Sequence, residues 1–463
     1  MNTNIIFRTD SYKWGHWRQY MPDVKHVYSY LESRNGARFN STVFFGLQYL
    51  LKEYLAGQVV TQQAIDEAER LSIAHLGEGR FNRDGWQYIL DKHQGRLPVE
   101  IHAVAEGTPV PVSNVQMTVE NTDPQVPWLT NCLESILYKV WAPSVVATLS
   151  MEIKIMLSWY LEKTADSLDA LPFMLHDFGY RGAASEEAAM VNGAAHLISF
   201  LGTDTIPALL FPKKYYGSTS ETDGYSVLAT EHSIMTARGE EGERDVIKYL
   251  LHSTPDGILS IVIDSYDYRR FIQYMGEALR SDVDRFLQRS PANKIVFRPD
   301  SGDPVSTSLE VVQLVEKYFG SELNSKGYRQ LNPQTGVLWG DGIQYEGIRN
   351  ILFNLRNNGY SAANMIFGMG GGLHTSCTRD TQNNAFKCSA QYYGGEYHNI
   401  QKKPLDPTKI SKTGRFSLVK GQNGKLCTTC KNFRQEDLLI PVFRDGEILR
   451  EYTWNEIKNN TKS

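Results

Sequence analysis

Long apolar runs are missing from this chain of 463 residues. No stretch of about 18 consecutive apolar residues occurs, so no segment is expected to span a bilayer. Cysteine is scarce: five in so long a chain make no disulfide framework. Cys427 and Cys430 form a lone CxxC without the second pair, or the spaced histidine, that zinc or redox chemistry would need, and are read as incidental. A positive surplus is missing too, because 48 Lys and Arg face 52 Asp and Glu for a net charge of −4. That balance argues against bulk attraction to nucleic acid or anionic membrane, and the aromatic-basic opening RTDSYKWGHWRQY carries little weight against it. The N-terminus lacks the regions of a signal peptide, so a cytoplasmic enzyme is expected. Repeats, low-complexity tracts and long flexible linkers are also absent.

What is present divides by texture. Residues 1–128 mix helical patterns such as LQYLLKEYLAG with LPVEIHAVAEGTPVPVSNVQMTVEN, whose alternation and turn residues predict an antiparallel sheet. Residues 129–374 change to short apolar runs, among them LPFML, YSVLAT, ILSIVI, KIVF, VLW and NMIF, separated by amphipathic patterns. Strand followed by helix, several times over, implies a parallel sheet with crossover helices. Continuous apolar runs suit strands buried on both faces. An open doubly wound sheet and a closed barrel both fit. The barrel is favoured because polar residues follow nearly every run, and a barrel converges all such ends on one face where an open sheet gathers ligands mainly at its switch point. The predicted class is therefore α/β: an irregular TIM-like barrel, with a second, mainly antiparallel β domain. Residues 375–463 return to strand-like sequence and are expected to complete that domain from the other chain end.

The strand ends carry the candidate chemistry. GMGGG, including Gly370 and Gly371, follows NMIF, and such a run lets backbone N–H groups gather on a phosphate, where a plain tight turn would need fewer glycines. In FRPDSGDP, Arg298 suits phosphate and Asp300 suits sugar hydroxyls or a metal-bound diphosphate, although a local ion pair in a turn explains them equally well. Asp341, between Gly340 and Gly342, has a plain turn as its simpler explanation. Asp264 closes so apolar a run that it requires a partner. In HDFGYRG, Phe178 could stack on a planar ring and Arg181 could hold a phosphate; the ordinary alternatives are a core ring and a rim charge. A lone histidine such as His232 is usually structural. Its company changes that: Glu231 is adjacent and Asp264 ends the next strand, so a carboxylate could hold one ring nitrogen and leave the other nucleophilic.

DSYK, VYSYLESR, VFFGLQYLL, ENTDP, LHDFGYRG, GTDT, GYSV with EHS, DSYD, RPDSGDP, GDG, FGMGGGL, TRD and FKCS occur in this order. Over essentially its whole length the chain resembles the nicotinamide phosphoribosyltransferase family, bacterial and phage members included. The resemblance implies synthesis of NMN and diphosphate from nicotinamide and phosphoribosyl pyrophosphate, with Mg²⁺ and with ATP as co-substrate. It implies a homodimer with active sites at the interface. Phe178 would stack on one face of the nicotinamide ring and Tyr12 of a second copy on the other. Asp204 would accept from the carboxamide. Arg181 and Arg298 would contact phosphate or the carboxamide region, and Asp300 the ribose. Gly340, Asp341 and Gly371 would line the phosphoribosyl pocket, and Ser226, Ser260 and Gly370 complete the implied set. Arg379 and Lys387 would reach phosphates in the neighbouring site. Lys402, Lys403 and Lys409 match a basic loop near the ATP phosphates. His232 matches a histidine phosphorylated by ATP, with Asp264 orienting it and Glu231 a further candidate. No metal ligand is assigned, since Mg²⁺ is expected to be held mainly by the diphosphate or ATP. Leu228, in place of the usual proline, and the CTTC near the C-terminus depart from the pattern.

Three rivals remain. Nicotinate phosphoribosyltransferase shares the barrel and the histidine, but Asp204 would repel a carboxylate substrate. A phosphate-binding isomerase or aldolase would be more distant, and no strand end offers the lysine an aldolase needs. A non-catalytic nucleotide- or nicotinamide-binding protein on the same scaffold is the third.

Overall fold

The computed structural model describes residues 4–405, 410–422, 424–431 and 436–462. The chain folds as two compact units. The first takes residues 1–148, 211–219 and 377–463, and the second 149–210 and 220–376. These boundaries differ from the sequence division at 128 and 374. The physical reason is the apolar helix Trp128–Leu137, which packs on the strands His26–Ser33 and Val115–Asn121 and so belongs with the sheet.

Among the described residues, the first unit is built on a seven-stranded antiparallel sheet. Its strands run Glu396–Asn399, Asn384–Tyr393, His26–Ser33, Val115–Asn121, Val99–Ala103, Ile440–Arg444 and Glu447–Ile448 across the sheet. Both chain ends therefore contribute, as expected. Val99–Ala103 alternates buried and half-buried residues, the period of a strand covered on one face. LQYLLKEYLAG is less regular than its pattern suggests: a single α turn, Leu47–Leu50, widens into a π turn, Leu51–Leu55. Cys427 and Cys430 lie three apart on the strand Leu426–Cys430, hence on opposite faces and about 10 Å apart, too far to bridge.

The second unit holds a parallel sheet of seven strands among the described residues. Their order is Gly202–Thr203, Leu175–Asp177, Met365–Met369, Thr335–Trp339, Lys294–Arg298, Ile258–Val262 and Leu228–Ala229. The sheet curls until its margins meet. Thr203 N–H donates to the Tyr225 carbonyl at 2.9 Å and Tyr225 N–H to the Leu201 carbonyl at 2.7 Å, a parallel bridge just ahead of the opposite edge strand. Helices Glu186–Leu197 and Pro304–Phe319 start on Ser185 and Asp303, whose side chains accept from backbone N–H groups in the first turn. The pattern YRRFIQYMGEALRSDVDRFLQ resolves into two helices, Tyr268–Gly276 and Arg280–Arg289, with Leu279 turned into the core between them.

One expectation needs correction. YSVLAT is not a continuous buried strand: Tyr225 makes a single bridge, the strand proper is Leu228–Ala229 at the sheet margin, and Leu228 is 53% exposed. The helical stretch Trp128–Thr164 is long and apolar enough to cross a membrane by length and composition, and 72% of its most apolar window is buried inside the fold. The polar residues that interrupt it, such as Glu152 and Lys154, hid that stretch from a search for unbroken apolar runs.

Candidate active site

Alternate residues of a parallel strand face the same side, which decides what the curled sheet encloses. Ser260, Val296, Leu338 and Ile366 line a largely apolar cavity of about 310 Å³. One step further along three of these strands, the same face presents Arg298, Gly340 and Gly368. Phe178 lies across that mouth, and its backbone N–H donates to the Met369 carbonyl at 3.0 Å. A Cβ built on Gly368 would fall 2.1 Å from the Phe178 ring, so the ring's place depends on glycine there. Asp204 and Ser226 stand at the same cavity, and the serine hydroxyl donates to the Asp204 carboxylate. His176 lines it too; burial pushes its imidazole below the ordinary value, opposed by the nearby Asp204 charge.

A second cluster forms where the strands at 258–262 and 294–298 end. His232 Nε2 lies 3.1 Å from Asp264 Oδ1, with the imidazole side chain 51% exposed and the carboxylate 4%. The other oxygen, Asp264 Oδ2, accepts from the Asp300 backbone N–H at 3.1 Å and from the Ser301 hydroxyl. Asp264 thereby has the partners that its apolar strand required. The arrangement fixes the ring: Nε2 faces the carboxylate and Nδ1 is left open. Glu231 does not share this role, because it precedes the helical turn His232–Met235 and accepts from the Ser233 hydroxyl instead.

Arg298 reaches back across the cluster. It donates to the Thr230 carbonyl at 2.6 Å and lies 3.3 Å from Asp300 Oδ1. The local ion pair read as an alternative in FRPDSGDP is present, at the sheet's mouth. Burial raises the Asp300 carboxyl above its ordinary value, Arg298 opposes the shift, and Asp264 adds to it. Asp341 is exposed just past Gly340, and its carbonyl accepts from the Trp339 indole at 2.7 Å. Arg181 is exposed on the turn Tyr180–Gly182. Gly370 and Gly371 open the short turn that ends at His374.

The remaining candidates belong to the other unit. Tyr12 is 60% exposed on the 3-10 helix Ser11–Arg18. Arg379 is exposed beside Asp380, and Lys387 sits on the strand Asn384–Tyr393 opposite Tyr30. Lys402 and Lys403 precede the described gap, and Lys409 lies outside the described residues. Among the described residues no group of three or more His, Cys, Asp or Glu is placed to hold a metal ion. Sequence reasoning missed Thr230, Ser301 and the Asp177–His374 pair. Ser301 was visible inside RPDSGDP; His374 carried no signal, being 197 residues from its partner.

A model of the nicotinamide phosphoribosyltransferase N-terminal domain matches residues 4–101, and one of the nicotinate phosphoribosyltransferase family matches residues 173–447. A nicotinamide phosphoribosyltransferase of Xanthomonas campestris is 41% identical, covering 98% of this chain and 97% of the relative. One from Acinetobacter baylyi is 31% identical over 98% and 96%. Among solved structures, nicotinate-nucleotide pyrophosphorylase from Pyrococcus furiosus superposes with a TM-score of 0.60 at 16% identity, covering 100% of this chain and 96% of that one. Human nicotinic acid phosphoribosyltransferase gives 0.58 at 15% identity, covering 98% and 92%. The two superpositions bear on fold alone, whereas the sequence relatives decide the assignment: this chain belongs to the nicotinamide phosphoribosyltransferase family.

Proposed function

We infer that this chain is a pentosyltransferase that joins nicotinamide to the ribose of phosphoribosyl pyrophosphate, releasing NMN and diphosphate. The observation that carries this reading is the pairing of Phe178 with Asp204 at one cavity mouth. An aromatic face beside a carboxylate suits a planar amide: the carboxylate accepts from the carboxamide NH₂ and disfavours nicotinic acid, whose own charge would be buried next to it. Ser226, donating to Asp204, turns that carboxylate toward a fixed direction.

The curled sheet is read as an irregular TIM-like barrel, with the phosphoribosyl group over its strand ends. The pyridine nitrogen attacks ribose C1 with its own lone pair, so no general base is needed. The protein's task is alignment, with Arg298 and the glycine turn at the phosphates and Asp300 at the ribose hydroxyls. Mg²⁺ arrives with the phosphates as part of the substrate. Asp300 and Asp341 would share it, in keeping with a cation that takes one or two carboxylates beside phosphate oxygens.

His232 couples ATP to the reaction. Nδ1, opposite the nitrogen held by Asp264, attacks the γ-phosphorus of ATP; the bond to the β-γ bridging oxygen breaks and ADP leaves. The phosphohistidine is later hydrolysed to inorganic phosphate. The added negative charge beside the metal-bound diphosphate strengthens substrate binding through that cation. Tyr12, Arg379 and Lys387 are assigned to the site of a second copy in a homodimer. Lys402 and Lys403 are assigned to the ATP phosphates. The reaction is assigned to the cytoplasm, in keeping with phosphorylated substrates.

The test is product formation from phosphoribosyl pyrophosphate and Mg²⁺ with nicotinamide or with nicotinic acid. NMN from nicotinamide, with Asp204→Asn admitting nicotinic acid, supports the reading. Product from nicotinic acid alone would make the chain a nicotinate enzyme, and no product from either would leave a binding protein.

A further inference from the structure

A second His–Asp pair lies beneath the ligand loops, in the same unit and away from the ATP-coupling histidine. Asp177 ends the strand that leads directly into Phe178, and His374 ends the turn that begins at Gly371. His374 Nε2 donates to Asp177 Oδ1 at 2.9 Å, and the Gly179 backbone N–H donates to the same oxygen at 2.7 Å. Both side chains are 0% exposed. One carboxylate oxygen therefore binds both loops at once: the one carrying Phe178 and Arg181, and the one carrying Gly370 and Gly371.

The loops are in direct contact around this bond. A Cβ on Gly179 would fall 2.0 Å from the His374 ring, and one on Gly182 would lie 3.3 Å from the Gly371 Cα. Neither loop can shift without the other while the imidazole is held. Burial works to raise the Asp177 carboxyl, yet the hydrogen bond and charge of His374 carry it below the ordinary value. Among the described residues, Asp177 Oδ2 and His374 Nδ1 have no hydrogen-bond partner, so the Oδ1 contacts are what hold the pair in place.

We propose that Asp177 and His374 are positioning residues: a sealed clip that sets the spacing between the ring-stacking loop and the glycine turn, and so between the bound nicotinamide and the phosphates. This rests on the function proposed above. Neither residue touches substrate. The clip acts by fixing how far apart the attacking nitrogen and the phosphoribosyl group are held, where a displacement near 1 Å costs on the order of a hundred-fold in rate.

The experiment uses the full-length protein and three variants. His374→Gln keeps an N–H close to the Nε2 position, His374→Leu removes it, and Gly179→Ala drives the ring aside. The KM and kcat for nicotinamide and phosphoribosyl pyrophosphate are read with calorimetric binding of nicotinamide and of diphosphate, and with thermal unfolding. The expected result is joint loss: in His374→Leu and Gly179→Ala both KM values rise and kcat/KM falls on the order of ten- to a hundred-fold, while His374→Gln stays within about three-fold of wild type. If His374→Leu does not fold, Gly179→Ala and His374→Gln carry the comparison. Unchanged KM values in folded variants, or loss of kcat alone in proportion to lost folded protein, would overturn the clip. A wild type that binds both ligands but makes no product would instead fail the functional reading, and the clip would then stand or fall on joint weakening in the two binding measurements.

Discussion

Of the His–Asp pairs in the second unit, two that lie beside the strand ends have almost the same distance, 3.1 Å for His232–Asp264 and 2.9 Å for His374–Asp177. Their surroundings are opposite. The first imidazole is half exposed with Nδ1 open, whereas the second is closed off with its carboxylate. Distance alone therefore says nothing about role. A group that must receive a phosphoryl from ATP has to be reachable, and its partner must be firmly held; Asp264 is held by Asp300 N–H and Ser301. A group that only spaces two loops gains from being sealed, since a low-dielectric surrounding strengthens its hydrogen bonds.

The contrast can be broken most severely at the sealed pair. Removing His374 with leucine leaves Asp177 as an unpaired buried charge and is expected to cost about 3–5 kcal/mol in a denaturant titration. A smaller effect comes from a third histidine. His196 is fully buried between the Ser150 hydroxyl and the Gly202 carbonyl, and burial pushes its imidazole down to about 4. The unfolded chain, with a histidine near 6.5, then binds the proton first. Stability is complete above that pH and is lost as pH falls toward 4, with about 2 kcal/mol gone at pH 5. Between pH 7 and pH 5, wild type should lose about 2 kcal/mol of stability relative to His196→Gln measured in parallel.

Ser226→Ala removes the donor to Asp204 at an exposed position. A several-fold rise in the KM for nicotinamide is expected, on the order of 1 kcal/mol, with the KM for phosphoribosyl pyrophosphate unchanged. The smallest expected effect on stability is that of His232→Ala, within about 0.5 kcal/mol, because the ring is half in solvent. Equal destabilisation by His232→Ala and His374→Leu would erase the distinction between the pairs.

The same contrast explains what could be read in the sequence. Strand ends could, because an apolar run that stops at Asp264, or at Arg298 and Asp300, is a local signal, and the curled sheet brings those ends together. The continuous apolar texture of buried parallel strands also announced the sheet. The edge strand could not be read: Leu228 and Ala229 are apolar yet exposed, and apolar runs do not report their place in a sheet. Nor could Glu231 be separated from Asp264 as partner to His232, since adjacency in sequence put the nearer carboxylate on a neighbouring serine. His374 meets Asp177 only through tertiary packing of two loops. The domain boundary moved for a similar reason: Trp128–Leu137 is apolar in any context, and only packing shows which sheet it covers.

The most direct test of the account is where ATP leaves its phosphate. The intact protein is incubated with γ-labelled ATP and Mg²⁺ and digested at alkaline pH, where phosphohistidine survives, and the labelled peptides are mapped. Label on the peptide carrying His232, lost in His232→Ala together with ATP stimulation of NMN formation, is the predicted result. Label on the peptide carrying His374, or ATP stimulation that persists without His232, would contradict the division of roles between the open and the sealed pair.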